Sequence, residues 1–191
     1  MRLARALPLC LALVAVQGQA EEIEDGFALA VHGAGQIKLP QADFRADWTV
    51  LGTWIVAGGE TVGDQAGAAG LHVTYTQPGV AAHYRATGEF PDGTVLVKEL
   101  FAAETREMTT GVISHAAELE GWFVMVKDRE GRFPGNPLWG DGWGWGYFSA
   151  DAPDRPVTED YAGECLACHV PAQETDWVYV WGYPVLQSTQ K

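Results

Sequence analysis

An α+β domain built on an antiparallel β-sheet is the fold this chain predicts. Short runs rich in aromatic and β-branched residues recur along it, several with a period of two. Gly, Pro and Asp separate these runs as turns. Helical signals are few and brief, two or three short helices against about six strands, which gives α+β with an antiparallel sheet. At 191 residues the chain has the length of a single domain with a large enough core to fold alone.

The elements follow in order. Residues 1–20 read as a secretion signal: Arg2 and Arg5, an apolar stretch from Ala6 to Val16 broken only by Pro8, then small Gly18 and Ala20 before Glu21. The stretch is too short to span a bilayer, and no other run is long and apolar enough to do so. The domain is then 21–191, with an acidic start over Glu21 to Asp25. Trp48 to Val56 is a strand by composition. Ala57 to Gly70, rich in Gly and Ala with no periodicity, reads as a loop. Leu71 to Thr76 alternates, with Leu71, Val73 and Tyr75 on one face and His72, Thr74 and Thr76 on the other. Pro78 opens a short helix that Gly88 ends.

Phe90 to Gly93 is a turn, and Thr94 to Phe101 is the next strand. Gly111 to His115 and Trp122 to Lys127 read as two further strands. Gly131 to Gly142 is a Pro/Gly loop, and Trp143 to Ser149 an aromatic strand. Its Gly144 and Gly146 leave room for something flat against the backbone, or simply relieve crowding. Thr158 reads as the cap of a C-terminal helix, with Glu159 and Asp160 in its first turn.

That helix runs into Cys165-Leu166-Ala167-Cys168-His169, and C-x-x-C-H is the attachment signature of a c-type haem. Two sulfurs add across the two vinyl groups of one porphyrin, and the adjacent His ligates the iron from the proximal side. A redox dithiol or half a zinc site are the rival readings. A C-x-x-C zinc site needs a second ligand pair, and the only other Cys is Cys10, inside the signal. Such haem attachment takes place outside the bacterial cytoplasm, in agreement with the signal and a periplasmic address. Acids outnumber bases 25 to 12 and the formal net charge is −13. Removing Arg2 and Arg5 makes it more negative, so nucleic acid is not an expected partner. The small all-helical cytochromes c carry the motif near the N-terminus; this β-rich chain carries it near the C-terminus.

Three stretches in order carry a resemblance: Thr87 to Leu100 (TGEFPDGTVLVKEL), Cys165 to His169, and Thr175-Asp176 followed by Tyr183 to Leu186 (YPVL), with weaker similarity from Ile37 to Pro40 through the Trp48 strand. By them the chain resembles the cytochrome P-460 family, over nearly all of its mature length. The resemblance implies a periplasmic, homodimeric, sheet-rich cytochrome with one haem c per chain. It implies attachment through Cys165 and Cys168, His169 as the proximal iron ligand, and a further covalent bond from a lysine, aligned with Lys98, to the porphyrin. It also implies oxidation of hydroxylamine to nitrous oxide or nitric oxide at an open iron position. Electrons would pass to a partner such as a soluble cytochrome c. A sister branch, the β type of cytochrome c′, is similar in fold, lacks the lysine bond and binds nitric oxide or carbon monoxide without turnover.

Lys98 separates the branches. By alternation it shares a face with Leu96 and Leu100, an apolar setting that favours the neutral amine; a lysine snorkelling from a half-buried strand is the plainer alternative. Three residues are candidate distal proton acceptors. His72 falls where family members can carry an arginine, and is equally readable as an exposed strand histidine. Asp160 and Glu159 precede the motif, and are equally readable as helix N-terminal charge. An electron carrier would need a sixth ligand; Met108 and Met125 are the thioether candidates, and each also reads as packing.

Overall fold

In a computed structural model the described residues are 22–187; the signal and Cys10 lie outside them. The observed fold is α+β. A two-stranded ribbon, β1 (Val31–His32) and β2 (Gln36–Ile37), lies between short helices α1 (Gly26–Ala30) and α2 (Phe44–Asp47). The main sheet holds β3 (Thr49–Val62), β4 (Gln65–Thr76), β5 (Val95–Met108), β6 (Gly111–Lys127), β7 (Trp139–Gly140) and β8 (Trp143–Ser149). All its pairings are antiparallel, in the order β3-β4-β5-β6-β8-β7. Helix α3 (Val80–Thr87) joins β4 to β5 and ends at left-handed Gly88, as the sequence predicts. After β8 come α4 (Tyr161–Glu164), α5 (Leu166–His169) and short 3-10 turns reaching Leu186.

The central part of the sheet is buried on both faces. Alternation on β5 sends Val95, Val97 and Glu99 to one side and Leu96, Lys98 and Leu100 to the other. On the first side the N-terminal segments supply Ala30, Ile37 and Trp48, which pack with Tyr75, Val97, Val124 and Phe148. On the second, α3 and the C-terminal turns supply Val80, Cys165, Trp177 and Leu186, which pack with Leu96, Met125 and Trp145. Each buried aliphatic or aromatic side chain contributes about 1.5–3 kcal/mol, so the two half-cores jointly fix the sheet.

Three sequence expectations change. Ala57 to Gly70 is not a loop: β3 and β4 continue through it as a hairpin closed by Gly63-Asp64, with Gly63 at φ 61. Residues 57–66 are mostly exposed, so neither face needs to be apolar and the period-two signal is lost. Gly111 to His115 and Trp122 to Lys127 are one strand, bent where pairing with β5 shifts register after Leu100. Thr158 caps no helix. Its hydroxyl accepts from the Tyr147 N–H at 2.9 Å, and Asp160 is the N-cap, accepting from the Ala162 N–H at 3.2 Å. Something flat does lie on Gly144, but it is the Trp139 ring, 2.8 Å from where a Cβ would stand.

An ion cluster ties the loop after β6 to the turn before β5. Arg132 reaches Asp92 at 2.5 Å and Asp128 at 2.7 Å. Burial raises the Asp92 pKa, but hydrogen bonds from Arg132 and the Arg129 N–H outweigh it and hold it below the usual carboxylate range. Stability from Asp92 is therefore present above its ordinary pKa and is lost as pH falls through the depressed folded value. Asp92→Asn is expected to flatten the acid limb of a thermal-melt series against pH, leaving the difference from wild type smallest at the lowest pH.

Candidate functional site

Lys98, Cys165, Cys168 and His169 line one cavity of about 350 Å³, within the size range of small-molecule sites. Its floor is the inner face of β4, β5, β6 and β8, represented by Thr74, Leu96, Phe123 and Trp145. The C-terminal segment closes it with Val178, Tyr179 and Tyr183. The strand that presents Lys98 is pinned from behind by Glu99, which is fully buried. The Glu99 carboxylate accepts from Arg45 Nη2 at 2.6 Å, Tyr75 Oη at 3.0 Å and Trp122 Nε1 at 3.1 Å.

The Lys98 ammonium lies 4.6 Å from the centroid of the Phe123 ring. Burial lowers its pKa from the ordinary lysine value, opposed by any charge on Cys168 and Cys165. Burial also pushes the Cys165 thiol up to about 11, aided by Glu164. A redox dithiol needs the opposite, a depressed pKa that populates the thiolate.

His169 ends α5, and its Nδ1 lies 2.7 Å from the Trp177 carbonyl oxygen. A carbonyl only accepts, so Nδ1 carries the proton and Nε2 is left with its lone pair. Burial lowers the His169 pKa, against the pull of that hydrogen bond, and so favours the neutral ligand form. The ring stands edge-on to Trp145 with centroids 4.7 Å apart. The Trp177 carbonyl is aimed by two consecutive left-handed residues, Asp176 at φ 57 and Trp177 at φ 65. For a residue as bulky as Trp this is an outlier, costing about 1–3 kcal/mol that neighbouring contacts must offset.

These features fit a covalently held haem. The wall is largely apolar, two cysteines line it, an imidazole held by the Trp177 carbonyl keeps Nε2 for a ligand bond, and a lysine whose burial favours the neutral amine stands on the sheet wall. Among the described residues no cluster of three or more His, Cys, Asp or Glu could hold a metal ion by itself.

The distal candidates are not brought together in the lining. His72 lies on the Lys98 face one row along, paired with Leu100 where Thr74 pairs with Lys98, and is partly buried. Burial first and Lys98 second lower its pKa. Asp160 and Glu159 are exposed, and Asp160 uses its carboxylate as the α4 cap. Met125 lines the cavity, whereas Met108, 51% exposed, ends β5 and does not.

Three lining features were missed in the sequence reading. Glu164 is the carboxylate on the cavity wall; the Asp160 and Glu159 N–H groups donate to it and hold its pKa low. Its place immediately before Cys165 was the available signal. The hydroxyls of Thr74 and Tyr183 are 3.1 Å apart and buried. They are distant in sequence, and no pattern links them.

The family model described as Cytochrome P460 matches residues 42–180. No curated protein matches the chain.

Proposed function

Because the chain belongs to the cytochrome P460 family of haem-binding cytochromes, we propose that it is a periplasmic enzyme oxidising hydroxylamine at a haem c held by Cys165, Cys168, His169 and Lys98. The observation that carries this reading is the convergence of those four residues on one cavity. When bound, the haem would supply a redox-active iron for the oxidation of hydroxylamine and a route for the electrons to an external acceptor.

The side chains do the rest. Cys165 and Cys168 would hold the haem as thioethers and His169 would offer Nε2 to the iron, while the Trp177 carbonyl holds the imidazole in place. Lys98 Nζ would bond to a ring carbon, each partner giving up one hydrogen, with the two electrons taken by an external oxidant such as a peroxide. Leu96, Met125, Trp145 and Val178 exclude water, which strengthens every charge interaction within the cavity. Protons released from the substrate pass to groups around it. Glu164 is on the wall, Asp160 and Glu159 adjoin it along the chain, and His72 stands on the next row of the sheet.

The secretion signal read in residues 1–20 supports the periplasmic address, where a soluble cytochrome c is a suitable electron acceptor. No helix among the described residues is long and apolar enough to cross a membrane. The family resemblance supports a homodimer.

Steady consumption of hydroxylamine by the haem-loaded protein, with an artificial electron acceptor, is the expected result. No turnover from protein that still binds nitric oxide would assign it to the gas-binding branch. A six-coordinate ferrous spectrum that nitric oxide leaves unchanged would make it an electron carrier, with Met125 the ligand on the cavity wall.

A further inference from the structure

We propose that Asp176, clamped by Lys127 and Trp143, is a positioning residue that sets how strongly His169 donates to the haem iron. The inference rests on reading His169 as the iron ligand. Lys127 ends β6 and Trp143 begins β8, and the two are direct partners in the sheet. Both reach out of the sheet to the same residue. Lys127 Nζ donates to Asp176 Oδ1 at 2.6 Å. Trp143 Nε1 donates to the Asp176 backbone oxygen at 3.0 Å and lies 3.2 Å from Oδ1.

The Lys127 side chain is only 9% exposed, and its ammonium also lies 4.8 Å from the Trp143 ring centroid. Asp176 is therefore the counter-charge of a buried cation, and removing it leaves that cation unpaired. Asp is also one of the few residues that tolerate the left-handed backbone found here. The Thr175 hydroxyl braces the same turn, donating toward the carbonyls of Ala172 and Val178.

The next carbonyl along is that of Trp177, which accepts from His169 Nδ1. If the clamp is released, the strained pair can relax toward negative φ, and the Trp177 carbonyl swings off the Nδ1–H axis. The imidazole then has less anionic character and donates less to the iron. The clamp reaches the iron through one backbone oxygen, without touching substrate.

The test uses the haem-loaded protein and two readouts: the iron–imidazole stretching band in the ferrous resonance Raman spectrum, and the midpoint potential. In Asp176→Ala the band is expected to move to lower frequency and the potential to rise. Lys127→Met shifts both in the same direction by less. Asp176→Asn, which keeps the left-handed tolerance and an Oδ1 acceptor, stays closer to wild type than Asp176→Ala. Val126→Ala, which loosens the core on the other face of the sheet, lowers the melting temperature without moving the band.

A band and potential unmoved in Asp176→Ala and Lys127→Met overturn the proposal, as does a Val126→Ala shift as large as that of Asp176→Ala. If Asp176→Ala yields no folded protein, an unmoved band in Lys127→Met alone overturns it. A five-coordinate ferrous wild-type protein with no iron–imidazole band overturns the ligand assignment itself; a wild-type band that no clamp variant moves overturns only the clamp. Where the ferrous protein is six-coordinate, the midpoint potential alone decides, and a potential unmoved in Asp176→Ala and Lys127→Met overturns the clamp.

Discussion

Replacing Lys98 by leucine is expected to convert the haem into an ordinary c-type group and to reduce hydroxylamine oxidation by about 10- to 100-fold, the usual scale for residues that tune a metal site without ligating it. Intact mass gives the direct reading. Wild-type protein should weigh two hydrogens less than chain plus thioether-linked haem, and the variant should show no such deficit. The ferrous optical spectrum should change with the mass. A variant with wild-type spectrum and mass balance would remove the cross-link and leave the gas-binding branch as the better assignment.

The lysine bond is expected to follow sulfur attachment, because the thioether tether would hold the ring against the wall that carries Lys98. Cys165→Ala protein should show a smaller cross-linked fraction by mass.

The largest loss of stability is expected at the residue next to Lys98. Every group around the buried Glu99 carboxylate is a donor: Arg45 Nε and Nη2, Tyr75 Oη and Trp122 Nε1. Glu99→Gln removes the charge and puts an NH₂ where one of two acceptor oxygens stood, so donors from three elements are left with one neutral acceptor between them. A cost of about 2–4 kcal/mol follows, with the Arg45 end discounted because that side chain is 54% exposed. For a domain of this size each kcal/mol lowers Tm by about 2–4 °C, so calorimetry should show a drop of about 4–16 °C. Tyr75→Phe removes one donor and leaves the carboxylate its others, for about 1 kcal/mol. A Glu99→Gln melt within 2 °C of wild type would contradict the account.

Much of this was legible in the sequence where burial imposes a period. Lys98 could be placed beside Leu96 and Leu100 because β5 is buried on both faces and alternation there is strict. The C-x-x-C-H motif was legible because its spacing is chemical and local. The outer hairpin of β3 and β4 was not, because solvent on both sides asks nothing of its side chains. The Trp177 carbonyl was not either. Its role depends on two consecutive left-handed backbones, one of them at a Trp that rarely adopts it, and backbone atoms leave no mark in a sequence. Glu164 is legible only once the helix start is known. A cap at Asp160 puts Glu164 at the end of the first turn, on the cavity wall.

The C-terminal segment from Thr158 to Gln187 adds no strand to the sheet, yet it carries both sulfurs, the histidine and the outer wall of the cavity. If the chain is secreted as proposed and emerges N-terminus first, all six strands of its main sheet precede the attachment motif. Lys98 and its apolar floor would then assemble while Cys165 and Cys168 remain on an undocked tail, open to haem attachment. Docking of that tail would carry a tethered group onto a wall already built, and maturation would become the closing of a hinge instead of the threading of a cofactor into a finished interior.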